Sequence, residues 1–362
     1  MSLARLMATA WRQNLLVSVL VELTYRCNLD CFFCYNDLGL HGEPLSREQY
    51  FRFFDELREL EVLHLALSGG EPLAHPDFLA LGARARDLGF VVRIKSNGHA
   101  LRGELARRIR DEIDPFLIEV SLHGATAATH DRQTRVPGSF ERLMANLAEL
   151  QALGLRVKLN STLTAWNEGE IEAMFTLADA LGLRLQVDPE VTPRDDGGRE
   201  PLQVTPSRDG VLRLFRVQTE RGRALDAGAA PEVVRSADES VPVPVGKHCG
   251  AGSSGLAVDP FGNVYPCVQW RRPVGNLHRQ SLREIWQSSA GLAQVRELTA
   301  QALEVVDGHG PRGYLLNFCP GTAAAHGDGD PLAVYSSALQ RKELLEQVLE
   351  EEAQRPLLPV LR

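Results

Sequence analysis

At 362 residues, 44% of them apolar, the chain is long enough for two domains or one large one around a sizeable core. A net charge of −8 argues against a general electrostatic role on nucleic acid, and no stretch reaches the roughly 20 apolar residues of a membrane span. Six cysteines form two triplets in a chain with no export signal, which points to a reducing cytoplasm and metal ligation.

Residues 16–190 alternate between strand-like and helix-like segments. The first apolar run, Leu15–Leu23, is interrupted by Glu22 and lacks a small-residue cleavage site, so it reads as a buried strand over 16–23. Further strands are predicted over 62–68, 90–95, 116–122, 155–163 and 183–188. Helical patterns fall between them at 46–60, 76–88, 101–112, 139–153 and 168–181. Such alternation predicts an α/β fold with a parallel sheet and helices outside it. From 191 to 247 the pattern weakens to a turn-rich linker, a helix near 207–222 and the run Val241-Pro242-Val243-Pro244. Two short strands are predicted around Pro260-Phe261-Gly262-Asn263, then a helix at 281–288 and a charged amphipathic helix at 333–353.

The first strand leads into CNLDCFFC, which places Cys27, Cys31 and Cys34 on one short loop. Three thiolates at this spacing can hold three irons of a cubane cluster and leave the fourth iron open. A zinc site would need a fourth ligand, and His41 does not complete a usual zinc spacing. A disulfide would leave an odd thiol. Asn28 and Asp30 suit a loop better than a core.

The loop resembles the cluster motif C-x3-C-x2-C of the radical S-adenosylmethionine (SAM) enzymes, with Phe33 as the aromatic before the third cysteine. Thr24-Tyr25-Arg26 and Tyr35-Asn36 are similar to the family's flanks. The resemblance implies a partial (β/α)6 TIM-like barrel, with the cluster loop at the C-terminal mouth of the strands, where barrel active sites form. It also implies a 4Fe-4S cluster ligated by Cys27, Cys31 and Cys34, with SAM on the open iron. Ser68-Gly69-Gly70-Glu71-Pro72 follows the second strand and matches the family's GGE motif, so Gly69–Glu71 is expected to receive the amino group of SAM. Lys95-Ser96-Asn97-Gly98 resembles the "TNG" segment. By the same resemblance Phe33, Ser68, Asn97, Ser121 and Asn160 are expected at the cofactor. Arg135 would pair with a carboxylate of SAM or substrate. His123 lies near the predicted mouth.

The second triplet is Cys249, Cys267 and Cys319. Cysteine, twelve residues, Gly262, four residues, cysteine resembles the opening of the SPASM or twitch extension, as do Gly275-Asn276-Leu277 and Ser281–Trp286. A small C-terminal α+β extension is therefore expected. Gly310, Gly313 and Ala323 stand where a full SPASM module has cysteines, so the expectation is one auxiliary iron–sulfur cluster held by three cysteines. His248, His309, His326, Asp328 and Asp330 are candidates for its fourth ligand. The expected division is a barrel over 1–190, a linker over 191–247, the extension over 248–330 and a C-terminal helix and tail over 331–362.

The resemblance implies reductive cleavage of SAM to a 5′-deoxyadenosyl radical and hydrogen abstraction from a substrate. The leading expectation is maturation of a ribosomally made peptide by crosslink, thioether or epimerisation. The alternative is tailoring of a small molecule such as a haem precursor, alcohol or nucleotide. An electron donor such as flavodoxin or ferredoxin is implied. Only about 15 residues precede the first strand, so a separate leader-binding protein is one expected partner.

Overall fold

The computed structural model describes residues 3–37, 39–228, 246–327 and 329–354. Asp328 and the run from Val241 to Pro244 lie outside the described residues. A helix α1 (Leu3–Gln13) precedes strand β1 (Ser18–Glu22). Five β/α repeats follow: α2 (Arg47–Glu59) and β2 (His64–Ser68), then α3 (Phe78–Asp87) and β3 (Val91–Ser96). Next come α4 (Gly103–Arg108) and β4 (Leu117–Ser121), α5 (Ala127–Thr134), α6 (Ser139–Ala152) and β5 (Val157–Thr162), and α7 (Ile171–Ala180) and β6 (Arg184–Asp188). Each strand pairs in parallel with the next, from β1 to β6. These are the six strands of the partial barrel, and all six predicted strands are present.

The strands explain the architecture through their period-two pattern. Val92 and Ile94 of β3, Ile118 and Val120 of β4, and Leu159 of β5 are buried. They pack in one core with Phe54, Leu57, Leu81, Ile109, Leu143 and Leu147 of the helical layer. The alternate positions, Arg93, Lys95, Glu119, Ser121, Lys158 and Asn160, line an internal cavity. Apolar side chains hold the helices on, and polar ones face the cavity.

Helix ends follow their local signals. Ser46 caps α2 in a capping box with Gln49. The predicted helix over 101–112 is instead α4 followed by a π-turn over Ile109–Ile113, which ends at Asp114 in the left-handed conformation. After β6 comes α8 (Arg208–Gly228), longer than the sequence pattern suggested.

The C-terminal extension does not build a separate sheet. Strand β7 (Gly255–Val258) pairs in parallel with β1, and β8 (Asn263–Tyr265) and β9 (Gly275–Asn276) continue antiparallel beyond it. The result is one nine-stranded sheet in the order β6-β5-β4-β3-β2-β1-β7-β8-β9. Helices α9 (Leu282–Ser288), α10 (Ala290–Asp307), α11 (Pro320–His326) and α12 (Ser336–Ala353) complete the chain. Helices α1, α5, α10 and α11 were not predicted from the sequence.

A buried ion cluster reinforces the junction. Arg271, after β8, donates to both carboxylate oxygens of Glu22 at the end of β1, at 2.8 and 2.7 Å. Its Nε also lies 2.7 Å from Asp195 Oδ2. Glu22 is fully buried and Arg271 keeps 12% of its side-chain surface. Removing one partner would leave a buried charge uncompensated. Arg271→Leu is therefore expected to cost roughly 3–5 kcal/mol of unfolding free energy. Denaturant titration checks this; an unchanged midpoint would contradict the clamp.

Candidate active site

The first cysteine loop is neither helix nor strand, so other elements must hold it. Asp30 N donates to Thr134 O at 3.1 Å and Phe32 N to Gln133 O at 3.2 Å, both at the end of α5. Arg135, the next residue, has φ of +57°. Its guanidinium donates to the backbone oxygen of Asp30 at 2.6 Å and to Asp30 Oδ1 at 2.7 Å. Arg135 thus clamps the loop from outside and does not line the cavity. Phe33 meets the buried His123 ring edge-on at 4.8 Å. Burial and the neighbouring His130 push the His123 pKa down to about 3, so this imidazole is neutral.

The glycine pair serves the loop as well as the cavity. Gly70 N donates to Thr24 O at 2.7 Å, and Glu71 N to Arg26 O at 2.8 Å. Gly69 has φ of +129°, and a Cβ on Gly70 would lie 2.6 Å from the carbonyl oxygens of Tyr25 and Arg26. Only glycine lets the turn after β2 lie against the root of the cysteine loop. Glu71 is 2% exposed and turns away from the cavity. Its carboxylate accepts from Ser96 Oγ at 2.9 Å, Asn97 N at 2.8 Å and Leu73 N at 3.2 Å. Asn97 in turn donates from Nδ2 to Asn28 Oδ1 at 2.8 Å, beside Cys27. Glu71 therefore positions the turn after β3.

These parts surround one cavity of about 790 Å³. Cys27, Cys31, Cys34, Phe33, Ser68, Gly69, Gly70, Asn97, Ser121 and Asn160 all line it. Of the sequence-predicted cofactor residues, only Glu71 and Arg135 do not. Cys319, Val268 and Gln269 line its other side.

The second cysteine set also converges. Cys249 precedes β7, Cys267 follows β8 and Cys319 immediately precedes α11. A Cβ on Gly321 would lie 2.5 Å from Gln269 O, so glycine lets α11 close onto the loop after Cys267. Burial, with Cys267 and Cys319 nearby, pushes the Cys249 thiol up to about 12. The candidate fourth ligands have other partners. His248 Nε2 hydrogen-bonds with Phe318 O at 2.6 Å and His309 Nδ1 with Val305 O at 2.8 Å. His326 stacks on Tyr335, and Asp330 Oδ1 accepts from Leu332 N.

Both donor sets fit iron–sulfur clusters. All six thiols are free. Burial, Cys34 and Cys27 raise the Cys31 thiol, so bare thiolates here repel one another and iron would relieve them. Among the described residues no three His, Cys, Asp or Glu side chains converge on a single ion. A cubane asks for a wider arrangement, because each thiolate meets its own iron.

Comparison with known proteins agrees. A family model described as the radical SAM superfamily matches residues 21–178, and one described as an iron–sulfur cluster-binding domain, SPASM, matches 249–305. An AdoMet-dependent heme synthase of Methanosarcina barkeri is 30% identical over 76% of this chain and 83% of its own length. A PqqA peptide cyclase of Ruegeria pomeroyi is 32% identical, covering 77% and 76%. The mycofactocin maturase MftC of Mycobacterium tuberculosis is 30% identical, covering 76% and 71%. The chain belongs to the radical SAM superfamily. Its cofactors are accordingly a 4Fe-4S cluster, SAM and an auxiliary iron–sulfur cluster. The fold is shared with native anSMEcpe with bound AdoMet, at TM-score 0.67 and 15% identity over 93% of this chain and 99% of that one.

Sequence reasoning missed several residues that the fold brings to this cavity and its surroundings. Arg93, Glu119 and Lys158 line the cavity. Their signal was available: a charged residue between apolar neighbours in a strand points to a polar interior. Arg271 and Asp195 had no local signal, because their partners are remote.

Glu71 gives a pH test. Burial raises its pKa from the ordinary 4.5 to about 7, despite three hydrogen bonds. Folding favours the protonated acid, so its stabilisation is full below about pH 4.5 and is lost as pH rises through about 7, on the order of 3 kcal/mol. Wild type is expected to lose that much stability relative to Glu71→Gln across this window. A pH-independent difference in unfolding free energy would contradict it.

Proposed function

We propose that this chain modifies a ribosomally synthesised peptide by radical chemistry. The observation that carries the reading is the shared cavity, which runs from the first cysteine loop to Cys319. A substrate there lies between the two cluster sites. When bound, the first cluster and SAM together supply a 5′-deoxyadenosyl radical, which takes a hydrogen atom from the substrate.

The geometry supports the following roles. Cys27, Cys31 and Cys34 hold the first cluster, and Cys249, Cys267 and Cys319 the auxiliary one. Gly69 and Gly70 present backbone to the amino end of SAM. Asn97, Ser121 and Asn160 offer polar groups to the rest of the cofactor. Arg135 and Glu71 keep the two flanking loops in place. Phe33 and the neutral His123 close the cavity wall beside the loop and keep water from the reacting centre. The PqqA cyclase and mycofactocin maturase relatives, both named for peptide substrates or maturation, support the substrate class. An electron donor of flavodoxin or ferredoxin type and a leader-binding partner complete the proposal, with the cytoplasm as its location. The heme synthase relative favours one alternative, tailoring of a haem precursor.

The reduced, cluster-loaded enzyme is expected to convert SAM to 5′-deoxyadenosine, and Cys31→Ala to make none. Cys267→Ala is expected to keep SAM cleavage while losing on the order of four irons per chain. A full iron complement in that variant would remove the auxiliary-site assignment. A precursor peptide encoded beside this gene is expected to change mass on incubation with enzyme, SAM and reductant. A haem precursor changing in its place would overturn the peptide reading.

A further inference from the structure

The floor of the cavity carries an excess of positive charge. Lys95, Glu119 and Lys158 lie side by side in one register row across β3, β4 and β5. Arg93 lies two residues earlier on β3, on the same face. Glu119 is buried and pairs with Arg93, with Lys95 at 2.6 Å and with Asn160 Nδ2 at 3.0 Å. Two cations thus share one carboxylate, and a third, Lys158, stands beside it in the same row without an ion pair to it. The other carboxylates lining the cavity have cations of their own: Asp30 pairs with Arg135 and Glu190 with Arg341, and Asp188 feels the same Arg341 guanidinium.

Donor capacity remains after these contacts. Lys158 Nζ donates to the neutral Gln186 Oε1. Arg93 Nε is buried and lacks a hydrogen-bond partner among the described residues. An ammonium carries three donors and a guanidinium five, so the cluster can accept a further anion without displacing Glu119. Burial holds the Lys158 ammonium below the ordinary lysine range; Glu119 opposes that shift, and Arg93 and Lys95 add to it. Composition makes this placement notable. The whole chain has only four lysines, and two of them occupy this row.

Depth gives the cluster a role. Ser121, Asn160 and Gln186 form the register row nearer the mouth. Two residues of strand separate the rows by roughly 6–7 Å. An anionic group held at the floor would leave the adjoining part of its molecule level with the mouth row, beside the cysteine loop.

We propose that Arg93, Lys95 and Lys158 form a receiving site for a carboxylate of the substrate, anchoring it at the cavity floor. This rests on the reading of the cavity as the substrate site. The carboxylate belongs to an acidic side chain or a chain terminus, and the guanidinium edge of Arg93 with the two ammonium groups receives its oxygens.

The holoenzyme labelled with [ε-13C]lysine carries four lysine signals, which makes the test direct. Glutarate is expected to shift the Lys95 and Lys158 signals and leave Lys247 and Lys342 in place. The neutral analogue glutaramide is expected to shift none. Arg93→Met and Lys158→Met should each weaken glutarate binding about tenfold, the weight of one charge-assisted hydrogen bond. Unmoved Lys247 and Lys342 signals report that a variant is folded. Unshifted Lys95 and Lys158 signals, equal shifts with glutaramide, or unchanged glutarate affinity in both variants would overturn the site. Inorganic phosphate binding more tightly than glutarate would overturn the carboxylate assignment. The readout needs no SAM cleavage, so its failure is distinct from a failure to form 5′-deoxyadenosine.

Discussion

One guanidinium shared by two buried carboxylates sets the distance between the two chemical ends of this protein. Glu22 lies five residues before Cys27, and Arg271 four residues after Cys267. Asp195, the third member, donates its backbone N–H to Tyr35 O at 2.7 Å, next to Cys34. All three side chains keep little or no contact with solvent. Two charges taken out of water gain little net stability, but a mispaired arrangement would cost several kcal/mol. The ion cluster therefore selects one placement of the extension on the barrel. Pairing of β7 with β1 supplies the backbone half of the same constraint.

The barrel face that the strands turn inward lines the cavity proposed as the active site. A closed barrel of this size would fill its interior with apolar side chains. Here the six strands do not close, and the cavity-lining positions of β3 to β5 are charged or carry amides or hydroxyls. The polar interior is affordable because the opposite face of each strand is almost wholly buried against helices. Stability and chemistry are thus divided between the two faces of one sheet.

The loops at the mouth depend on remote supports. The cysteine loop has no regular structure, yet α5, Arg135 and the glycine turn after β2 hold it at several points. Glu71 then ties that turn to the one after β3. Each support is a backbone or charge-assisted hydrogen bond, which fixes direction as well as distance. Rigid presentation of three thiolates needs no helix or strand under these conditions.

Much of this was legible in the chain itself. The spacing of Cys27, Cys31 and Cys34 and the Gly-Gly-Glu turn are local patterns, so their chemistry could be read without a fold. The six strands were legible because alternation of apolar and polar residues is also local. Helix α10 carries a readable apolar stripe in Leu292, Val295, Ala302 and Val306 and was simply overlooked. Other features lay beyond sequence reading. Glu71 looked like a ligand, and only the fold turned its carboxylate toward Ser96 and Asn97. Arg135 looked like a substrate clamp, and only the fold placed it on Asp30.

By itself, then, the sequence determined the strand and helix alphabet, the two cysteine triplets and the class of chemistry. These follow from interactions within a few residues. The tertiary structure alone decided that β7 joins β1, that Arg271 meets a carboxylate 249 positions away, and that Cys319 shares a cavity with Cys27. Hydrogen bonds and ion pairs between distant segments form only after the chain has closed those loops. Nothing in either partner's neighbourhood marks the other.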